Sequence, residues 1–394
     1  MKFTASQRAT RTVLVLGALL ATSITMTACG SGGSSTAAAG AGSSAELTAF
    51  TEQAQAAVDA ASAAQTTETA PVPTGGPAPK AGVELTIIPC SMAVEGCARP
   101  ARSAEEAAKA LGWKPTIDDP STGQGGASAA VQRAVATGAD AILLTSIDAG
   151  SIKADLQAAR DKGIVVVANM AGNADELYQA IVPPLEANFD AGYLLGQQAF
   201  LIAQERYQQP VKAIVFEDQE FATVKQRVAG FVQFVQDCAD AGGGCSIEYQ
   251  GKHLAADIAT TLPNQVVQTV KQHPDYNTLF LGFDAALNAV VTQGLLPAGL
   301  ADPSKAQGVS VDCDVANATS IAEGGFQSAC IGFAFLRAGY GHVDNVNRLL
   351  DGQDAVDQGL VGKLITEANA PTDGEAWDGD FDAVAEYRKA WGLD

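Results

Sequence analysis

Basic residues are scarce in this chain, where 24 Lys and Arg face 44 Asp and Glu for a formal charge of -20. That sign excludes a surface built to neutralise nucleic-acid phosphates or to dock on anionic lipid. Histidine is scarcer, with three in 394 residues, and His253, His273 and His342 are too scattered for His-based acid–base work. No H-E-x-x-H, G-x-S-x-G or G-x-x-x-x-G-K-[ST] pattern occurs, so metalloprotease, nucleophile-elbow and phosphate-loop chemistries lack their parts. Gly123-Gln124-Gly125-Gly126 lacks the third spaced glycine of a dinucleotide loop and reads as a turn opening a helix. Asp118 and Asp119 precede Pro120, as at a strand end entering a turn rather than in a catalytic carboxylate pair. No cysteine pair has C-x-x-C spacing. No catalytic residue, cofactor or metal is therefore expected.

What is present begins at the N-terminus. Lys2, Arg8 and Arg11 precede a short apolar stretch at 13–21, and MTACG follows at 26–30. This resembles the lipobox of bacterial lipoproteins, which implies a signal peptide over 1–28, diacylation of Cys29, and export to the outer face of the cell membrane. No other run reaches the ~18 apolar residues of a membrane span. Without Cys29, six cysteines remain as near neighbours, Cys90 with Cys97, Cys238 with Cys245 and Cys313 with Cys330. Three local disulfides fit an oxidising compartment.

A Gly, Ser and Ala spacer covers 31–44, a helix is expected over 46–64, and a Pro- and Gly-rich linker runs to about Lys80. The whole of 29–80 is thus expected to be a flexible tether with a short helix, and the sequence leaves open whether that helix docks on the body. Beyond it, short apolar runs alternate with helical segments, the pattern of a mostly parallel sheet covered on both faces. Strands are predicted at 85–88, 115–118, 141–144 and 165–168, with helices at 101–111, 126–136 and 152–162, the last with Asp148 as N-cap. After a crossover at 181–186 the alternation repeats. Strands are expected at 211–216, 247–249, 278–281 and 309–311, and helices at 190–207, 221–237, 264–273 and 285–293. A strand at 329–333, a helix at 340–350 and a Trp-rich end complete the chain. The fold class is α/β, as two doubly wound lobes in series, and open α/β sheets bind ligand at the carboxyl ends of their strands.

The runs GADAILLTSID at 138–148 and AARDKGIVVVAN at 158–169 resemble those of type I periplasmic binding proteins, the ribose-binding-protein-like group. AAKALGW at 107–113, NFDAG at 188–192, KQRVAGF at 225–231, LFLGFD at 279–284 and GVSVD at 308–312 follow in the family's order. The resemblance implies a Venus-flytrap architecture with a three-strand hinge whose third crossing falls near Leu360. It divides the chain into lobe 1 over 81–186 plus 334–360 and lobe 2 over 187–333 plus 361–394. It also implies capture of a small-molecule solute, without chemistry, and delivery to an ABC permease by a monomeric receptor. The alternatives are a ligand-sensing lipoprotein feeding a membrane sensor and an exported α/β hydrolase.

Carried over position by position, the family's charged pair after the fourth strand falls on Asn169 and Met170, and its lobe-two arginine falls on Lys225. Its asparagine falls on Phe283, its strand-end aspartate is kept as Asp312, and its hinge-side glutamine falls on Phe333. Met92 and Val94 stand where aromatic residues follow strand one. With Phe221 added, these positions suit a sugar or sugar-like ligand with an aromatic or apolar face, since a polyol needs a partner for nearly every hydroxyl.

Overall fold

The computed structural model describes residues 39–122, 125–172 and 177–393, with side chains from Ser44 onward. The signal peptide, Cys29 and Gln124 lie outside the described residues. The chain divides into two units, Met1–Ala41 and Gly42–Asp394. The described part of the first is the opening turn of helix α1, Ala39–Ser62.

Among the described residues, the strands form two sheets. Lobe 1 is built on β1 (Glu84–Pro89), β2 (Lys114–Ile117), β3 (Ala141–Thr145), β4 (Val165–Asn169) and β5 (Ala180–Val182), all parallel in the order β2-β1-β3-β4-β5. β3 and β4 are buried throughout, as the unbroken apolar runs of a sheet covered on both faces require. Its helices are α2 (Glu95–Ala110), α3 (Gly126–Thr137) and α4 (Lys153–Asp161).

The chain then enters lobe 2 through α5 (Glu186–Ile202) and β6 (Lys212–Asp218). There follow α6 (Ala222–Asp240), β7 (Ser246–His253), α7 (Leu262–Gln272), β8 (Thr278–Phe280), α8 (Asp284–Val290), β9 (Gln307–Val311), α9 (Val315–Ala322) and β10 (Gln327–Gly332). A return through α10 (Phe335–Leu350) covers lobe 1, β11 (Lys363–Thr366) is antiparallel on the edge of lobe 2, and α11 (Ala383–Ala390) ends the chain. The second sheet has the order β11-β10-β9-β8-β6-β7. Both orders reverse beside the first strand of their lobe, which places a crevice at the strand ends of each. α5 and α6 pack so closely that a Cβ on Gly192 would collide with the carbonyl oxygen of Arg227.

Several sequence expectations are corrected. Residues 361–394 do not all stay with lobe 2: β11 and Trp377 do, whereas Tyr387 and Trp391 of the terminal segment pack into the lobe 1 core. Trp391 stacks on Tyr340 at 5.7 Å, and its indole N–H reaches Asp344 at 3.0 Å. The docking of the tether helix, which the sequence leaves open, is seen from Ser44 onward. Ala54 and Val58 are buried in the lobe 2 core, and the Phe50 ring lies 5.7 Å from Phe200 and 5.2 Å from Phe234. The linker is bonded to α10, with Asn347 holding both Lys80 N–H and the Pro77 carbonyl while Arg337 donates to Pro71. Asp148 does not cap α4; Ile152 stands at that N-cap. The three neighbouring cysteine pairs are disulfides, the first tying the end of β1 to α2 and the third tying the end of β9 to β10. Among the described residues no helix is long and apolar enough to cross a membrane, and no group of His, Cys, Asp and Glu is arranged to hold a metal ion.

Candidate functional site

A cavity of about 420 Å³ lies between the lobes, within the range of small-molecule sites. Lobe 1 lines it with Val94 at the end of the β1–α2 connection, Gly96 in the first turn of α2, Ser146 after β3 and Met170 after β4. Lobe 2 answers with Phe221 and Arg227 at the start of α6, Phe283 before α8, and Asp312 after β9. Phe335 closes the cavity at the second hinge crossing, under the guanidinium of Arg99, which stands 5.0 Å from the ring centroid.

Three of these lining residues have positive φ without being glycine: Ser146 at 55°, Met170 at 47° and Asp312 at 107°. Each directly follows a strand. Such backbone states cost of order 1–3 kcal/mol and gather where a binding surface must be held in one shape.

The polar floor is one ion pair, Arg227 Nη2 to Asp312 Oδ1 at 3.0 Å, with both side chains almost buried. Arg227 is spent inside the protein, donating to Asn188 at 2.9 Å and to the Gly282 carbonyl at 3.1 Å. The other Asp312 oxygen sits above Gly96. The floor thus offers one carboxylate oxygen and what remains of a guanidinium edge. The walls are apolar: Phe221 and Phe283 meet edge to face at 6.2 Å, beside Met170, Val94 and Ile258.

Beneath the floor lies a buried carboxylate group. Asp284 accepts from Gln327 at 3.0 Å and from the Asp314 N–H at 2.8 Å. Burial, then Asp312, pushes Asp284 up to about 7. Burial, then Asp284, Asp312 and Glu95, pushes Asp314 up to about 9. Asp312 is also raised, by burial against the opposing pull of Arg227. Crowding carboxylates away from water makes protonation less costly than charge.

Of the seven ligand positions expected from the sequence, Asp312, Phe283 and Phe221 line the cavity and four do not. Lys225 is exposed on α6, and Arg227, which shares the inward face with Val224 and Val228, lines the cavity in its place. Asn169 is buried behind the site, donating to the Val182 carbonyl at 3.1 Å, and its neighbour Met170 faces the cavity. Phe333 belongs to the lobe 2 core, leaving Phe335 at the hinge side. Met92 packs against the lobe 1 core while Val94 and Gly96 turn inward. The carboxylates at 118 and 119 stand in the turn, Asp118 paired with Arg133 and Asp119 accepting from Ser121.

Comparison with family sequence patterns matches residues 87–354 to the periplasmic binding protein domain. The chain belongs to this family of exported proteins, whose members bind solutes and do not transform them. No curated protein sequence matches the chain. Among solved structures, a galactofuranose binding protein is similar at 16% identity and TM-score 0.62, over 79% of this chain and 99% of that one. An ABC transporter solute binding protein from Mycobacterium smegmatis with bound glycerol is 16% identical, with a TM-score of 0.64, over 75% of this chain and 99% of its own. A 5-methylthioribose transporter solute binding protein from Thermotoga lettingae, in complex with 5-methylthioribose, is 16% identical with a TM-score of 0.61, over 79% and 92% of the two chains. The likeness in fold agrees with the ribose-binding-protein-like, two-lobed α/β expectation.

Proposed function

We propose that this chain is the solute-binding lipoprotein of an ABC importer, and that its ligand is a sugar-like molecule with a large apolar or aromatic substituent. The observation that carries the ligand class is the cavity itself, with three phenylalanines and Met170 around a single Arg227–Asp312 pair. A free hexose buried there would leave most of its hydroxyls unpaired, at ~1–3 kcal/mol each. A ligand with one hydroxylated end and an apolar body avoids that cost. The hydroxylated end meets Asp312 and the body lies against Phe221 and Phe283. An alkylthio pentose, such as the 5-methylthioribose in complex with the Thermotoga lettingae protein, has this form, as does an aryl glycoside or a nucleoside.

Delivery to a permease follows from closure, because a ligand touching both lobes favours the state in which they meet. Anchoring rests on MTACG at 26–30, with Cys29 carrying the acyl chains at ~0.8 kcal/mol per buried CH₂. Radiolabelled fatty acid should enter the wild-type chain and not Cys29→Ala.

The ligand class is tested by a thermal-shift screen of free hexoses, alkylthio pentoses, aryl glycosides and nucleosides, since a ligand of the folded form stabilises by RT ln(1 + [L]/Kd). Substituted compounds should raise the melting temperature, the shift should vanish in Asp312→Asn, and the compound should be recovered chemically unchanged. Equal shifts from free hexoses would contradict the ligand class, and turnover would contradict the receptor.

A further inference from the structure

Helices α6 and α9 of lobe 2 receive no capping bond from their own N-cap side chains. α6 starts at Ala222 behind Phe221, whose ring cannot accept a hydrogen bond, and α9 starts at Val315 behind Asp314, whose side chain makes no capping bond. The first N–H groups of any helix have no intrahelical partner, and its dipole puts positive potential there. Both ends are served from the other lobe. Asp148 Oδ2, in the β3–α4 connection, accepts from Ala222 N–H at 3.0 Å, and Oδ1 accepts from Gly172 N–H at 2.6 Å. Glu95, the first residue of α2, accepts from Val315 N–H at 3.3 and 3.4 Å through its two oxygens.

We infer that Asp148 and Glu95 are positioning residues that set the open–closed balance of the cleft by capping α6 and α9 across the lobe boundary. Neither lines the cavity. They bracket it: Asp148 is bonded to Ala222, next to the lining Phe221, and to Gly172, two residues after the lining Met170, and Glu95 stands in the chain between the lining Val94 and Gly96. Opening the lobes exposes two bare helix ends and two carboxylates, so each pair weights the closed state. The contact at Asp148 is also tight. A Cβ added to Gly172 would stand 2.8 Å from the Ala222 Cβ and 2.7 Å from Asp148 Oδ1. That backbone approach is open to glycine alone.

The donors can be deleted without breaking the helices. Proline at the first helical position only removes an N–H that has no helical partner. The residues before it, Phe221 at ψ 117° and Asp314 at ψ 154°, are already extended as a following proline demands. The experiment is small-angle scattering and thermal unfolding of the ligand-free full chain in wild type, Asp148→Ala, Ala222→Pro, Val315→Pro and Asp148→Ala/Ala222→Pro. Each lost cap should move the open-to-closed ratio by roughly fivefold, seen as a larger radius of gyration with helical content kept. Asp148→Ala and Ala222→Pro should have the same effect, and their combination no more than either. Scattering identical to wild type would overturn the inference, as would additive effects at the two positions or loss of helix without opening. The inference rests on the proposed cleft receptor only for its purpose. Scattering here uses no ligand, so it can fail while the solute screen succeeds, and the reverse.

Discussion

Arg227 and Lys225 sit two residues apart on one helix and face opposite ways. Matching the KQRVAGF run to the family places the cation at 225, whereas helical period places it at 227. Val224, Val228 and Phe231 recur at the spacing of a buried stripe, and position 227 lies on it while 225 points outward. That signal is present in the sequence and outweighs the motif register. Arg227→Ala should therefore abolish ligand binding and cost about 3–5 kcal/mol in urea unfolding, because Asp312 is left buried without its partner. Lys225→Ala should stay within about 0.5 kcal/mol of wild type with binding intact. Asp314 supplies a pH prediction. Its carboxyl is raised to about 9 in the folded chain, above its unfolded value, so folding takes up a proton there. The associated stability is present at acid pH and falls as pH rises toward 9. Asp314→Asn should thus be more stable than wild type by about 1–3 kcal/mol at pH 9, and the gain should shrink toward pH 4. A gain independent of pH would contradict the buried protonated carboxyl.

At the scale of elements, strands with long apolar runs were legible: 141–144 and 165–168 lie within β3 and β4, which are buried on both faces. The elements that sequence reasoning missed are those with weak local patterns. α9 is only eight residues long, β11 is four residues on a sheet edge, and α11 follows a loop of Gly, Asp and Trp with no strong period. Their structure comes from tertiary contact rather than propensity. α1 is the opposite case, a helix readable from Leu47, Phe50, Ala54 and Val58 whose docking was not. The stripe fits any apolar surface, and only the fold shows Phe200 and Phe234 as the partners of Phe50. Phe50→Ala should lower stability by about 2–3 kcal/mol in chemical denaturation and leave ligand affinity unchanged, since the contact is remote from the cleft. A wild-type denaturation curve would mean that α1 does not dock.

For the whole molecule, the alternation of strands and helices conveyed two lobes, and the order of the family-like runs conveyed which kind. The extra connections between the lobes were beyond such reading. α11 returns to lobe 1 through Tyr387 and Trp391, and the 63–80 linker lies along α10 through bonds from Asn347, Arg337 and Arg348. These linker bonds are polar contacts between segments more than 200 residues apart in sequence, and nothing local announces them. The site was half legible for the same reason. Asp312, Phe283 and Phe221 stand beside strand ends or helix starts that pattern reveals; Met170, just after β4, and Phe335, at the start of α10, stand one and two residues beyond the positions that the family register marks at Asn169 and Phe333. Apolar walls around one ion pair have a thermodynamic signature that sugar recognition by many hydroxyl contacts does not share. The most direct test is calorimetric titration of the compound chosen by the thermal screen at several temperatures. One compound per chain should bind with a clearly negative heat-capacity change, and binding should be lost in Arg227→Ala. Binding with no heat-capacity change, or binding that survives in Arg227→Ala, would contradict an apolar guest held in this cleft.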